Sequence, residues 1–203
     1  LNIFQVDWLR IIFGQNIPIL NFDSPVLCDQ LLWITPPFPA HHSPKVVDEI
    51  RQYIFQTPEY IALQSCIKTP ARVYLLRGLA RNGRRITNEL QLMSKLKNLG
   101  FVALAMDGLS IIRQAQIFAN AEIVIGPHGS AFVNMMYCNS DCKIIELFGP
   151  GYLSGHDYSL ATVCGLHWEF IEGHPVDTVP GFISDFFIDS EILLTRLDRL
   201  GVR

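Results

Sequence analysis

From residue 71 onward, the hydrophobic positions follow two alternating spacings. Short apolar runs typical of strands occur at 72–76, 101–105, 122–125, 143–147 and 167–171. Apolar residues that recur every three or four positions predict helices at 87–99, 110–119, 130–137, 158–164 and 189–199. Strands separated by helices form right-handed βαβ units. The pattern therefore predicts an α/β fold with a Rossmann-like parallel sheet flanked by helices.

The first 70 residues have a less regular pattern. Prolines crowd the segment 35–39, and one helix is predicted at 43–56. Ser43 suits its N-cap and Pro44 its first position. Thr57 and Pro58 are predicted to close it, because the residue before a proline disfavours helical backbone. We therefore divide the chain into 1–70 and a regular α/β unit at 71–203.

The composition narrows the possible functions. The chain has 203 residues, of which 49% are hydrophobic, and it can bury a sizeable core. Its formal net charge of -3 argues against general nucleic-acid binding, which requires a basic surface. No apolar stretch approaches the ~20 residues of a membrane-spanning helix. Because the chain begins at Leu1 and ends at Arg203 inside an amphipathic pattern, we expect it to be a piece of a longer protein.

The cysteines indicate a reducing environment. There are five, an odd number, and no Cys-x-x-Cys pair occurs. We expect reduced thiols, as in a bacterial cytoplasm, with the Golgi or endoplasmic reticulum lumen as the alternative for a eukaryotic protein. Cys138 and Cys142 lack the second ligand pair that a zinc site needs.

The strongest candidate for a binding site is the segment at 123–131. A predicted strand ends in Gly126-Pro-His-Gly-Ser130, and a helix follows. Gly126 and Gly129 let a ligand approach the backbone, the N–H groups at the Ser130 helix start attract phosphate, and His128 can donate to a diphosphate oxygen. In the alternative interpretation this is a strand–helix turn in which His128 caps local backbone groups.

Further candidates follow other strands, where parallel sheets bind ligands. Arg77 comes directly after the run 72–76, and its planar guanidinium suits phosphate. Arg81 and Arg84 are interpreted as solvated. Glu146 is expected to accept the ribose hydroxyls of a nucleotide or, alternatively, to pair with an arginine. Gln116 and Asn134 either orient the loops or make hydrogen bonds between helices.

Missing motifs restrict the chemistry. No Asp-x-Asp pair is present to hold a divalent metal against a diphosphate, so arginine, helix dipole and backbone amides are expected to neutralise its charge. The Gly-x-Ser-x-Gly elbow of α/β-hydrolases, the Walker loop and the Gly-x-Gly-x-x-Gly fingerprint are also missing.

The motifs, in order, resemble glycosyltransferase family 61. They are Arg77, Arg85-Ile-Thr-Asn-Glu89, Gln116-Ile-Phe, Gly126-Pro-His-Gly-Ser-Ala131 with Asn134, and Ile144-Ile-Glu146. That family includes plant xylan-decorating transferases, animal O-linked N-acetylglucosaminyltransferases and bacterial proteins of capsular polysaccharide synthesis.

The resemblance implies a two-lobed, GT-B-type inverting glycosyltransferase. It implies transfer from a nucleotide-sugar, commonly a UDP-sugar, to a hydroxyl of a glycan or glycoprotein, with no metal or other cofactor. Residues 71–203 then form the donor-binding lobe and 1–70 part of the acceptor-side lobe. Arg77 and His128 are the expected catalytic residues. The expected donor-binding residues are Arg77, Arg85, Asn88, Gly126, His128, Gly129, Ser130, Asn134 and Glu146.

Two other functions remain open from the sequence. The chain could be a non-catalytic nucleotide- or sugar-phosphate-binding module, or a scaffold lobe of a larger synthase. It could also be a hydrolase with Cys138 as nucleophile, which requires a low thiol pKa. For the transferase, the candidates for the catalytic base are Asp7, Asp23, His41, His42, Asp107 and Asp157.

Overall fold

The computed structural model describes residues 42–77, 85–176 and 184–203, together with a few isolated positions before residue 42. The described helices are α1 (Pro44–Phe55), α2 (Pro58–Cys66), α3 (Glu89–Asn98), α4 (Ile111–Ala119), a 3₁₀ helix (Ser130–Tyr137), α5 (His156–Val163) and α6 (Ser190–Arg199). The described strands are β1 (Arg72–Leu76), β2 (Val102–Ala105), β3 (Ile123–Pro127), β4 (Lys143–Phe148), β5 (His167–Glu172), β6 (His174–Pro175) and β7 (Phe186–Phe187).

Five strands form one parallel sheet in the order β2-β1-β3-β4-β5. Because β2 lies on one side of β1 and β3 on the other, the chain reverses its direction of travel across the sheet between β1 and β3. In doubly wound folds such a reversal opens a crevice at the carboxyl ends of the strands. The predicted Rossmann-like sheet flanked by helices is confirmed.

The three central strands β1, β3 and β4 are buried on both faces, whereas the edge strands β2 and β5 are partly exposed. On one face, Val73, Val124 and Ile144 pack in a core with α1, α2, α4, the 3₁₀ helix and α5. On the other face, Ile125 and Ile145 pack against α3 and α6. The buried leucines of α3 (Leu92 and Leu96) and of α6 (Leu193 and Leu197) recur every four positions, which places them on the side of each helix that faces the sheet.

Helix α2 is an element that the sequence interpretation missed. Thr57 does end α1, but its side chain also accepts a hydrogen bond from the N–H of Tyr60 and caps a second helix. Pro58 occupies the first position of that helix, where a missing N–H costs nothing. Val47 and Tyr60 lie in the same core as the sheet, and the predicted division into lobes at residue 70 stays a prediction.

None of the helices in the described ranges is long and apolar enough to cross a bilayer.

Candidate functional site

The candidate site lies where the sheet reverses between β1 and β3. Arg77 follows β1, His128 follows β3, and Nη1 of Arg77 donates to the carbonyl oxygen of His128 at 2.8 Å. A cleft of about 910 Å³ opens beside His128, whereas Arg77 is not among the described residues that line it and reaches the cleft through its bond to His128. The cleft is lined by Met106, Asp107, Gly108, Leu109, Gln114, His128, Gly129, Ser130, Ala131, Val133, Asn134, Tyr152, Ser154, His156 and Asp157. These residues come from segments that follow β2, β3 and β4, so the cleft occupies the predicted edge of the sheet.

The ring of His128 is held on several sides. Its Nδ1 lies 2.5 Å from Oε1 of Glu146 and 3.3 Å from Oδ2 of Asp157. Its Nε2 lies 3.4 Å from the hydroxyl of Tyr152, and the ring stacks on Phe148 with centroids 4.8 Å apart. Only 16% of the side chain is exposed, and that part contributes to the cleft. The ring therefore has one fixed orientation, with Nδ1 toward the carboxylates and Nε2 on the Tyr152 side.

The electrostatics of this cluster favour a protonated imidazole. Burial lowers the pKa of His128, but the hydrogen bonds and charges of Asp157 and Glu146 outweigh it and raise that pKa to about 9. Burial raises the pKa of Glu146 to about 7, against the hydrogen bond from His128. Burial also opposes ionisation of Asp157, but its hydrogen bonds to His128 and Glu146 lower its pKa. At neutral pH, His128 is a cation and Asp157 an anion, while Glu146 titrates.

Trp168 on β5 completes the support of this cluster. Its indole Nε1 donates to Oε2 of Glu146 at 3.1 Å. Both carboxylate oxygens of Glu146 therefore have a partner, which explains how a carboxylate with 0% exposure is accommodated in the core.

The same cluster has a spacing that suits a cation. One ligand atom each from His128, Glu146 and Asp157 lies within 4.8 Å of the other two. In the structure Nδ1 of His128 pairs with Oε1 of Glu146 and lies near Oδ2 of Asp157, so the three side chains form a hydrogen-bonded charge cluster.

The model of the glycosyltransferase 61 family matches residues 4–145, well over half of the chain. The chain belongs to glycosyltransferase family 61. This confirms the resemblance and makes the protein a member of a family of sugar transferases, which act between a sugar donor and an acceptor. No curated protein matches the sequence.

The matched part of this family 61 chain contains Arg77 and His128, but it ends one residue before Glu146. Tyr152, Asp157 and Trp168 also lie beyond it. The geometry thus joins residues of the matched segment to supporting residues that the match does not reach.

The two glycines beside His128 have different environments. Gly126 is buried in β3, and a Cβ there would lie 2.6 Å from Cβ of Leu75 and 3.0 Å from its carbonyl oxygen. Close packing of β3 on β1, rather than the approach of a ligand, accounts for this glycine. Gly129 and Ser130 do line the cleft, and a Cβ on Gly129 would meet only Pro127, at 3.9 Å.

Two of the predicted donor-binding residues make structural contacts with the C-terminal segment. Asn88 donates from Nδ2 to the carbonyl of Ile188 at 2.8 Å and accepts from the N–H of Ile188 at 3.1 Å. The backbone N–H of Arg85 donates to Oδ1 of Asp185 at 2.8 Å. Neither Arg85 nor Asn88 is among the described residues that line the cleft. Their order in the sequence predicted that they share the site of His128. In the structure the segment before α3 places them against Asp185 and Ile188 instead.

Glu146 does lie next to the site, but not as the ribose acceptor that its position predicted. It has no exposed surface, and its oxygens contact His128 and Trp168. Its contacts place it as the group that orients His128, and the predicted arginine partner does not occur among the described residues.

The two buried amides differ in their surroundings. Gln116 donates from Nε2 to the carbonyls of Leu63 and Ile67, so it joins α4 to the end of α2, as one of the alternatives predicted. Asn134 lines the cleft and donates from Nδ2 to Oε1 of Gln114 at 2.8 Å. Of these two amides, only Asn134 lines the cleft and is in a position to contact a ligand.

The sequence interpretation missed part of the site. Tyr152, Ser154 and His156 line the cleft after β4, where the carboxyl-edge rule applies, but no motif marks them. The sequence analysis names Asp157 only as a candidate base and does not name Trp168. The alternation of side chains along β5 could have indicated Trp168, because Trp168 and Phe170 lie on the same face of the sheet as Ile144 and Glu146.

The hydrolase alternative does not fit the thiols. The adjacent thiol of Cys142 and burial raise the pKa of Cys138 well above its ordinary value, so Cys138 is a poor nucleophile. Cys66, Cys138, Cys142 and Cys164 form no disulfide among the described residues. Cys28 lies outside the described residues.

Of the candidate bases, Asp107 lines the cleft, Asp157 is bound to His128, and His42 does not line the cleft. Other residues named from the sequence fall outside the described residues: Asp7, Asp23, His41, Arg81 and Arg84.

Proposed function

We propose that this chain carries the nucleotide-sugar-binding lobe of a GT-B-type, inverting, metal-independent glycosyltransferase. The donor is a nucleoside diphosphate sugar, with uridine as the expected nucleoside, and the acceptor is a hydroxyl of a glycan or glycoprotein. The observation that carries the proposal is the position of His128 at the cleft, with its Nδ1 paired to Glu146 and Asp157, which raise the pKa of the imidazole. A fixed cation beside an open cleft suits a ligand on which negative charge develops.

The reaction is a single displacement. The bond between the anomeric carbon and the diphosphate oxygen breaks, and its electron pair leaves with the diphosphate. His128 donates a hydrogen bond to the departing oxygen, and the guanidinium of Arg77 and the N–H groups at the start of the 3₁₀ helix add positive potential. The acceptor oxygen forms the new bond on the opposite face, which inverts the configuration.

The acceptor hydroxyl must also lose a proton. Asp157 is committed to His128, which makes it unsuitable as the base. Asp107 lines the cleft and stands outside the charge cluster, so we assign the base to Asp107 among the described carboxylates.

Calorimetric titration tests the donor site. UDP, GDP, CDP and UDP-sugars are titrated with and without EDTA into the wild type, His128→Gln and Arg77→Ala. One diphosphate is expected to bind in the presence of EDTA, and each substitution to weaken binding about tenfold or more, which corresponds to about 1.4 kcal/mol. His167→Gln is the matched control, because His167 also pairs with a carboxylate, Glu169, but lies outside the cleft.

Turnover separates the transferase from a non-catalytic binding module. Release of the nucleoside diphosphate is followed with a panel of glycan acceptors, and Asp107→Asn is expected to lower kcat more than donor affinity. Binding without turnover by the full-length protein would favour the module. Binding that EDTA abolishes would contradict the metal-independent mechanism, and a folded protein that binds no nucleotide would contradict the donor site.

A further inference from the structure

The floor of the cleft contains a buried amide with an unused acceptor. Asn134 lies in the 3₁₀ helix, is 2% exposed and lines the cleft. Its Nδ2 donates both hydrogens, to Oε1 of Gln114 at 2.8 Å and to the carbonyl of Ala131 at 3.0 Å. No described residue donates to its Oδ1.

The polarity of this amide is fixed by its neighbours. Nε2 of Gln114 donates to the carbonyls of Met106 at 3.3 Å and Leu109 at 3.0 Å. Carbonyl oxygens only accept, so Gln114 must present its own oxygen to Asn134. Asn134 must therefore donate to that oxygen from its NH₂ group. The carbonyl of Ala131 also accepts from this NH₂ group and independently requires the same orientation of the amide. Oδ1 therefore remains an acceptor and cannot exchange places with Nδ2.

Oδ1 is not among the fully buried side-chain atoms that lack a partner, so it keeps access to the cleft and, through the cleft, to a ligand. Because the segment after β2 holds Gln114 and Gln114 holds Asn134, two side chains are committed to keeping one oxygen available in the cleft. A hydroxyl ligand would not require this arrangement, since a hydroxyl both donates and accepts. A fixed acceptor discriminates only among groups whose polarity is also fixed.

We propose that Asn134 is a specificity-determining residue that accepts a hydrogen bond from an N–H group of the sugar-nucleotide. The inference rests on the proposed donor site. Two parts of such a ligand offer this chemistry, the imide N–H of a uracil base and the acetamido N–H of an N-acetylated sugar. In either case, a ligand with an acceptor or a methyl group at that position leaves Oδ1 buried without a donor and binds more weakly.

Matched ligand pairs test the proposal on the full-length protein. UDP is compared with N3-methyl-UDP, and UDP-N-acetylglucosamine with UDP-2-deoxy-2-fluoroglucose, whose fluorine cannot donate a hydrogen bond, by calorimetry. In one pair the N–H ligand is expected to bind at least tenfold more tightly, and Asn134→Ala is expected to remove that preference. The pair that shows the preference identifies the base or the sugar as its source. Gln116→Ala is the control, because it removes an equally buried amide that contacts α2 instead of the cleft.

Inorganic diphosphate is titrated into the same proteins, because it tests the donor site at His128 separately from the role of Asn134. Its binding should depend on His128 and not on Asn134. If diphosphate binds but neither wild-type pair differs, the assignment of Asn134 is wrong while the donor site stands. A preference that survives Asn134→Ala, or that Gln116→Ala removes equally, also overturns it. If neither diphosphate nor nucleotide binds the folded wild type, both proposals fail. If Asn134→Ala does not fold, a wild type that shows no preference in either pair still overturns the assignment, and Asn134→Ser, which also lacks the fixed amide oxygen, replaces the alanine variant.

Discussion

The indole of Trp168 holds the carboxylate of Glu146, with Nε1 of the tryptophan 3.1 Å from Oε2 of the glutamate. The other oxygen of Glu146 contacts His128, so a side chain on the edge strand β5 acts on the cleft through one intermediate. Trp168 does not bond to His128 directly. Its indole orients the carboxylate of Glu146, and that carboxylate orients the imidazole of His128.

Replacement of Trp168 by phenylalanine is therefore expected to lower both stability and function. The aromatic packing largely survives, but Oε2 of Glu146 loses its donor in a fully buried environment. Loss of such a bond costs about 1–3 kcal/mol, measurable by urea denaturation. Tyr158→Phe is the control, because it keeps the ring that packs edge-on against Trp168 at 5.5 Å. An unchanged His128 NMR signal in Trp168→Phe would show that the indole does not position the cluster.

The charge of His128 predicts how diphosphate binding depends on pH. Because its pKa is about 9, the imidazole should stay protonated at neutral pH, and affinity for diphosphate should fall as the pH rises through about 9. Histidine NMR titration measures this pKa directly, with His128→Gln identifying the signal. Glu146→Gln and Asp157→Asn should each lower it, since each removes a carboxylate that favours the charged ring. A His128 pKa near 6.5 in the wild type would contradict the cluster.

The same shift links stability to pH. The folded pKa of His128 is raised above its unfolded value of 6.5, so the pairing stabilises the fold fully below pH 6.5. That contribution is lost as the pH rises through about 9. Denaturation curves between pH 6 and 10 should show this loss in the wild type and a smaller one in His128→Gln, whereas His167→Gln should behave as the wild type does.

Gly126 and Gly129 should respond differently to alanine. A Cβ at Gly126 overlaps Leu75, so Gly126→Ala is expected to lower the free energy of unfolding by about 1–3 kcal/mol. Gly129→Ala finds space in the folded protein and should keep its stability, while a methyl group in the cleft weakens nucleotide binding. Thermal melts together with calorimetry distinguish the two effects. Equal losses of stability in both variants would contradict the packing argument.

Asn88 is expected to act in folding and not in donor binding. Asn88→Ala removes two hydrogen bonds to the backbone of Ile188 and should cost about 1–2 kcal/mol of stability. The affinity of the folded variant for nucleotide should equal that of the wild type. A selective loss of affinity with unchanged stability would restore the donor-binding role that the motif order predicted.

The sequence by itself determined the five strands of the parallel sheet, the helices between them and the edge of the sheet where the cleft opens, but not the short strands β6 and β7. Hydrophobic spacing is a local property, so strands such as 72–76 and helices such as 110–119 could be identified from their own residues. Parallel strands end at one edge, and that regularity was enough to predict that Arg77 and His128 lie close together.

Only the tertiary structure decided what each polar side chain contacts. Glu146 meets Trp168 because β4 and β5 pair in one register, and Asp157 meets His128 because α5 packs against the 3₁₀ helix that follows β3. Gly126 is required by the separation of β1 and β3, while Asn88 and Arg85 turn toward a segment about a hundred residues away. These contacts depend on strand register and helix packing between distant parts of the chain, which the local pattern of residues does not encode.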